Sequence, residues 1–189
     1  MIPNEGAKPG VIGATILTRT GIYFDYERPD LSVIDPVDIA TGLSHVCRFA
    51  GQCPEFYSVA QHCVIASEEV PAEDAFAALM HDAAEAYTGD CPSPLKQLLP
   101  DFKAIEKRVE GAIAARFGLT LPWPPSVKHV DYRLLRTERR DIMPAKGGDW
   151  PRLAEFPLLD RVIRPWNSDH AAGEWLNRFY RLCPAEFLA

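Results

Sequence analysis

A mostly α-helical domain with a small N-terminal β-hairpin is what this sequence predicts, and three observations predict it. Its 189 residues are the length of one domain, and an apolar fraction of 47% is enough for a packed core. Near the start, two short runs flank a glycine turn. From Asp35 onward, capping residues, prolines and glycines punctuate apolar residues at helical spacing.

The elements follow in chain order. Thr15 to Thr18 and Ile22 to Asp25 flank Arg19-Thr20-Gly21, a hairpin turn in which glycine supplies positive φ. Asp35-Pro36 supplies an N-cap and a first-turn proline for a helix through Val46. Ser58-Val-Ala-Gln61 has capping-box spacing, so a helix starts there and carries His62 in its first turn. Pro71 opens the next helix, with Phe76, Leu79, Met80 and Ala83 in a helical period, broken by Gly89, Pro92 and Pro94.

Asp101 is the expected cap of a helix reaching Phe117 and ended by Gly118. Ser126 is the expected cap of another, with Val127, Val130, Leu134 and Leu135 as its apolar stripe. Pro144 to Pro165 reads as an ordered surface loop, and Asp169 to Leu182 as a final helix with Trp175, Phe179 and Leu182 on one side. With no repeat and no linker, residues 1–189 read as one domain: a hairpin about 14–26, a core about 36–143, and a C-terminal loop and helix over 144–189.

Composition narrows the function. No run of apolar residues is long enough to span a membrane, and the first residues lack the pattern of a secretory signal. Cys47, Cys53, Cys63, Cys91 and Cys183 are odd in number and form no C-x-x-C pair, which fits reduced thiols in the cytoplasm better than disulfides or a zinc knot. A net charge of −6 without a basic cluster argues against long nucleic acid as a partner, but leaves room for a small anion held by a few placed cations.

The chemistry begins at His81-Asp82. The dipeptide alone says little, but here it directly follows Phe76 to Met80, an apolar run beside which a charged pair is costly unless a metal ion compensates it. Glu85, four residues after His81 and three after Asp82, shares their face on a helix. Gly89-Asp90 then returns a second carboxylate to the same end. Hydrolysis of a phosphate ester needs such parts: a Lewis acid, a water nucleophile and a proton donor. His62 and Asp131 are the candidates that complete the metal's ligands. Alone, Asp131 can also be read as a solvated helix position, and His62 as a structural histidine.

The order His62, His81-Asp82, Asp131 resembles the signature of the HD metal-dependent phosphohydrolase superfamily, closest to its YfbR-type 5′-deoxynucleotidases and small phage dATP triphosphohydrolases. The segment from His81 to Lys96 is similar to that branch's central motif, and Arg48-Phe49, Tyr57 to His62 and Val127 to Asp131 are similar to its flanking segments. The resemblance covers Arg48 to Asp141. It implies an HD-domain helical bundle and one divalent ion on His62, His81, Asp82 and Asp131, with manganese, cobalt, zinc, iron and nickel all suited to such ligands. It further implies Glu85 and Asp90 as catalytic carboxylates, Arg48 and Lys96 as phosphate ligands, a small nucleotide substrate, and a homo-oligomer, dimer or larger. Phe49 stands where the nucleotidases carry a tryptophan near the sugar, so a preference for deoxyribose does not carry over.

Three activities remain open on this reading. A 5′-nucleotidase releasing phosphate from (deoxy)nucleoside monophosphates is favoured. A triphosphohydrolase would need further cations, for which Lys128 and Arg133 are candidates. A non-catalytic nucleotide sensor would have no use for the hydrolytic set. His45, His129 and His170 match no ligand position, and Trp150 and Trp166 read as packing anchors rather than base-stacking platforms.

Overall fold

The computed structural model describes residues 13–148 and 150–188. The expectation that no secretory signal is present concerns residues outside that range. The fold is mostly helical with one small antiparallel hairpin, as the sequence predicts. Strands β1 (Thr15–Leu17) and β2 (Tyr23–Asp25) pair Ile16 with Phe24, and Gly21 takes φ +85° in the turn. Asp38 pins that turn to the first helix by accepting from Thr20 N at 2.8 Å and Thr20 Oγ1 at 2.7 Å.

The helices are α1 (Pro36–His45), α2 (Val59–Glu68), α3 (Ala75–Met80), α4 (Glu85–Thr88), α5 (Ser93–Lys96), α6 (Pro100–Arg116), α7 (Pro125–Asp141) and α8 (Ser168–Leu182). Asp35 caps α1 through Val37 N, and Ser58 caps α2 through Gln61 N, as their spacing predicts. The two later caps differ. Helix α6 starts at Pro100, with Asp101 inside the first turn, and α7 starts at Pro125, with Ser126 inside. A proline at the first helical position has no N–H to satisfy and a φ already set for helix, so it fixes the start without a capping side chain. Ser126 instead hydrogen-bonds Asp74.

Helix α2 is the axis of the fold. Every residue from Val59 to Ser67 is buried, because α1, α3, α7 and α8 surround it. One apolar cluster joins α1, α2, α3, α6 and α8 around Trp175 and Phe179. A second joins α2 and α3 to α7 and the 157–163 segment through Ile65, Val130, Leu134, Leu159 and Ile163. The site described below lies where α2, α3 and α7 meet, so each of its walls is backed by one of these cores.

A second difference concerns the stretch after Met80. Instead of one helix running from Pro71 to Gly89, a 3₁₀ turn (Ala72–Asp74) leads into α3, and residues 81–84 form turns before α4. Ala83 N bonds Met80 O and Glu85 N bonds Asp82 O, both three residues back, so the chain tightens where His81 and Asp82 stand. The 144–165 segment contains two 3₁₀ turns, Ala145–Gly147 and Pro151–Leu153, and it buries Leu153, Leu159 and Ile163. Among the described residues, no helix is long and apolar enough to cross a membrane.

Candidate metal centre and cleft

Two imidazoles face each other at the α2–α3 junction. His62 Nε2 lies 3.4 Å from His81 Nε2, 3.4 Å from Asp131 Oδ1 and 3.6 Å from Asp82 Oδ2. His81 Nε2 lies 3.2 Å from Asp82 Oδ2. The ligand atoms of His62, His81 and Asp131 all fall within 4.8 Å of one another. The four residues named from sequence therefore converge.

The far sides of the rings decide what the near sides offer. His81 Nδ1 lies 2.8 Å from the carbonyl of Ala78, which can only accept, so Nδ1 carries hydrogen and Nε2 is turned toward the cluster. His62 Nδ1 lies 2.7 Å from Glu138 Oε1 and donates to it. A ligating histidine characteristically gives its other N–H to a carboxylate or carbonyl in this way. Burial and the Arg48 charge push the His62 pKa down, but Glu138 and Asp131 outweigh them and raise it to about 9. In the chain alone His62 Nε2 thus holds a proton against Asp131, and a bound cation would take that proton's place. Burial pushes Asp131 up, yet the bond from His62 and the charges of His62, His81 and Arg48 hold it well below the ordinary carboxylate range. Two imidazole nitrogens and two carboxylates fit a divalent ion. Cys63, His81 and Asp82 form an overlapping group. Burial pushes the Cys63 thiol well above its ordinary range, which leaves it protonated and a poor ligand.

Glu138 is the residue that sequence reasoning missed. Fully buried, it accepts from Tyr57 Oη at 2.9 Å, from His62 Nδ1 and from Arg48 Nη2 at 3.1 Å. Burial would raise its pKa, but Arg48, His62 and Tyr57 hold it below the usual range, so it is a carboxylate. Local pairing explains how its partners arrive together. Arg48 N bonds Tyr57 O at 2.9 Å and Cys47 bridges Ser58, which sets Arg48 and Tyr57 side by side. The available signal was spacing: Glu138 follows Asp131 by seven residues, two turns along one face of α7.

A cleft of about 900 Å³ opens onto the cluster, lined by Asp82 and Asp131, by Glu85, Asp90 and Lys96 on one side, and by Phe49, Tyr132 and Trp150 on the other. Glu85 is buried, its Oε2 has no hydrogen-bond partner, and burial together with Asp82 and Asp90 pushes its pKa well up. Asp90 is raised too, mainly by burial. Lys96 reaches back over Glu85 at 3.7 Å while donating to Glu106 at 2.7 Å. Arg48 also lines the cleft, with Nη1 3.7 Å from Asp82, although its main partner is Glu138.

Phe49 and Ala50 both have positive φ, +57° and +52°, a strained backbone for side-chain-bearing residues at the cleft's edge. The Phe49 ring lies 6.1 Å from that of Trp150. Trp150 packs against Phe49 and Arg139 and also forms a wall of the cleft, and Trp166 packs against the larger core and His170. Lys128 lies over Tyr132 and Arg133 bonds Pro157 O; neither lines the cleft, while Arg152 does. His129 packs on Phe156.

Fold and geometry together define a mostly helical protein with a His/Asp group able to hold a metal ion. No family model matches the chain. It is 44% identical over 165 residues to the uncharacterized protein YfdR of Escherichia coli, across 87% of this chain and 93% of that protein, and it belongs to the family of YfdR. It is also 32% identical over 119 residues to the uncharacterized protein RCAP_rcc00048 of Rhodobacter capsulatus, across 58% of this chain and 61% of that one.

Proposed function

We propose that the chain is an HD-type, metal-dependent phosphohydrolase acting on nucleotides, a 5′-nucleotidase that releases inorganic phosphate from (deoxy)nucleoside monophosphates. The observation that carries this reading is the convergence of His62, His81, Asp82 and Asp131, with both imidazoles backed by acceptors, beside a cleft that Asp82 and Asp131 line together with Glu85, a buried carboxyl whose pKa is pushed well up.

His62, His81, Asp82 and Asp131 would hold a divalent ion, which would supply Lewis acidity toward a phosphoryl oxygen and lower the pKa of water near neutral pH. The chain's own groups supply the rest. Lys96 and Arg152 at the cleft wall, with Arg48 deeper beside Asp82, meet the charge on the phosphate oxygens. Asp90 accepts a proton from the attacking water. As the new P–O bond forms, the bond from phosphorus to the ribose 5′ oxygen breaks, and that oxygen takes the proton of Glu85. Phe49 and Trp150 offer apolar faces to the nucleoside.

The monophosphate is preferred because Lys128 and Arg133, the cations a triphosphate would recruit, stand outside the cleft lining. The test is a panel of nucleoside mono- and triphosphates against several divalent ions, scored by the phosphate species released. Inorganic phosphate from monophosphates is the expected result. Tripolyphosphate released with monophosphates untouched would replace the substrate and keep the metal site, and no hydrolysis with any ion would sink the enzymatic reading.

A further inference from the structure

Behind Trp150, on the side away from the metal ligands, lies a second pocket of about 530 Å³ between the C-terminal half of α7 and residues 145–148 and 150–158. Its charged lining comes from Arg136, Arg139 and Arg140, and no carboxylate stands among the described lining residues. These arginines follow one another at helical neighbour spacing, an arrangement in which like charges repel. Only Arg140 has a carboxylate partner, Asp141, among the described residues.

Arg139 is 8% exposed, and among the described residues its partners are the carbonyls of Ala145 and Gly148 and the Trp150 ring 5.8 Å away. Arg136 likewise donates to the carbonyls of Ala154 and Phe156. Pinning the loop explains these bonds, but each guanidinium uses a single terminal nitrogen for them, Nη2 in Arg139 and Nη1 in Arg136. A guanidinium carries five N–H donors, and a buried cation is costly where no counter-charge faces it, as for Arg139 among the described residues. In a chain of net charge −6, such a cluster runs against the composition.

We propose that this pocket is a binding site for a phosphate-bearing anion, separate from the metal cleft and sharing Trp150 and Leu153 with it as a common wall. Guanidinium forks match phosphate oxygens in pairs, and the tryptophan face adds a surface for a base if the phosphate arrives on a nucleotide. An anion seated there braces the loop that forms one side of the cleft. The proposal does not depend on the cleft being hydrolytic.

The test is calorimetric titration of the full chain with inorganic pyrophosphate, at low salt so that surface screening is small. Saturable binding is expected, weakened about tenfold or more by Arg136→Gln, the loss of one charged hydrogen-bonding partner. Ala154 lines the pocket and is exposed, so Ala154→Asp keeps the fold and fills the site with an internal carboxylate, and it too should weaken binding. Lys107→Gln, an exposed lysine of α6 that lines neither pocket, should leave the affinity unchanged. A nucleoside diphosphate binding well above pyrophosphate would assign the phosphate to a nucleotide, and equal affinities would assign it to free polyphosphate. Absence of saturable binding, or binding that survives Ala154→Asp unchanged, would overturn the site.

Discussion

On one side of the cleft, charges from α2, α7 and the segments beside them are held against one another: Arg48 with Glu138 and Asp82, and His62 with Glu138 and Asp131, while Lys96 of α5 pairs with Glu106 of α6. On the other side, Trp150, Arg152 and Phe156 reach the same space from a loop whose ties to α7 run from arginine side chains to main-chain carbonyls. The first wall depends on particular carboxylates. The second depends on backbone carbonyls, which any residue would supply, and on the Phe156 ring packed against His129 and Tyr132. Chemistry that needs fixed geometry belongs to the first, and variation in what is recognised belongs to the second.

The largest break in this comparison is expected at Glu138. Glu138→Ala leaves Arg48 buried without its partner and His62 without its backing, and should cost about 3–5 kcal/mol of stability in urea unfolding. Metal affinity should fall roughly 10–100-fold, as for other lost ligand supports, which a metal titration reads directly. An unaffected affinity would mean that His62 is oriented by packing alone.

Next comes the division within the helical wall. Asp82→Ala should lose metal and activity together. Glu85→Ala should retain the metal by elemental analysis while turnover drops about 10²–10⁴-fold, the range for a missing proton donor. Equal metal loss in both would make Glu85 a ligand.

The loop wall should answer differently. Arg136→Ala removes donors to two carbonyls and should cost about 1–2 kcal/mol. Faster amide exchange should be confined to residues 150–156, with metal affinity unchanged. If metal binding weakens as well, the two walls are coupled. The smallest effect is expected where they nearly meet. Ala50→Gly relieves a left-handed alanine and should raise stability by up to about 1 kcal/mol, seen as a small increase in Tm.

How much of this was legible in the sequence follows the same divide. Asp35-Pro36 and Ser58 announced their helices because caps act locally, over three or four residues. His81-Asp82 stood out because an apolar run placed a costly pair beside a core. Glu138 was hidden in Arg-Thr-Glu-Arg-Arg, which reads as a solvated face until Tyr57 and Arg48, some 80 and 90 residues earlier, are known to lie against it. The interruption at His81–Ala84 was equally hidden, since alanine-rich sequence favours continuous helix and only tertiary contacts break it. Pro144 to Pro165 could be read as a loop, but its bonds to Arg136 and Arg139 are made by carbonyls, which leave no mark in the sequence, so the cleft role of Trp150 could not be seen.

Gly42 carries a consequence for mutational tolerance. Helix α1 crosses α4 so closely there that a Cβ on Gly42 would come within 2.5 Å of the Ala86 carbonyl oxygen and 2.8 Å of its Cα. Ala86 follows Glu85 directly, so even Gly42→Ala must push the Glu85-bearing turn away from α1. In a saturation library scored for activity, position 42 should therefore read as intolerant as a reacting residue, although it touches nothing in the cleft. Its distinguishing mark would be suppression by second-site changes along the α1–α4 seam, which no substitution at His81 or Asp82 would share.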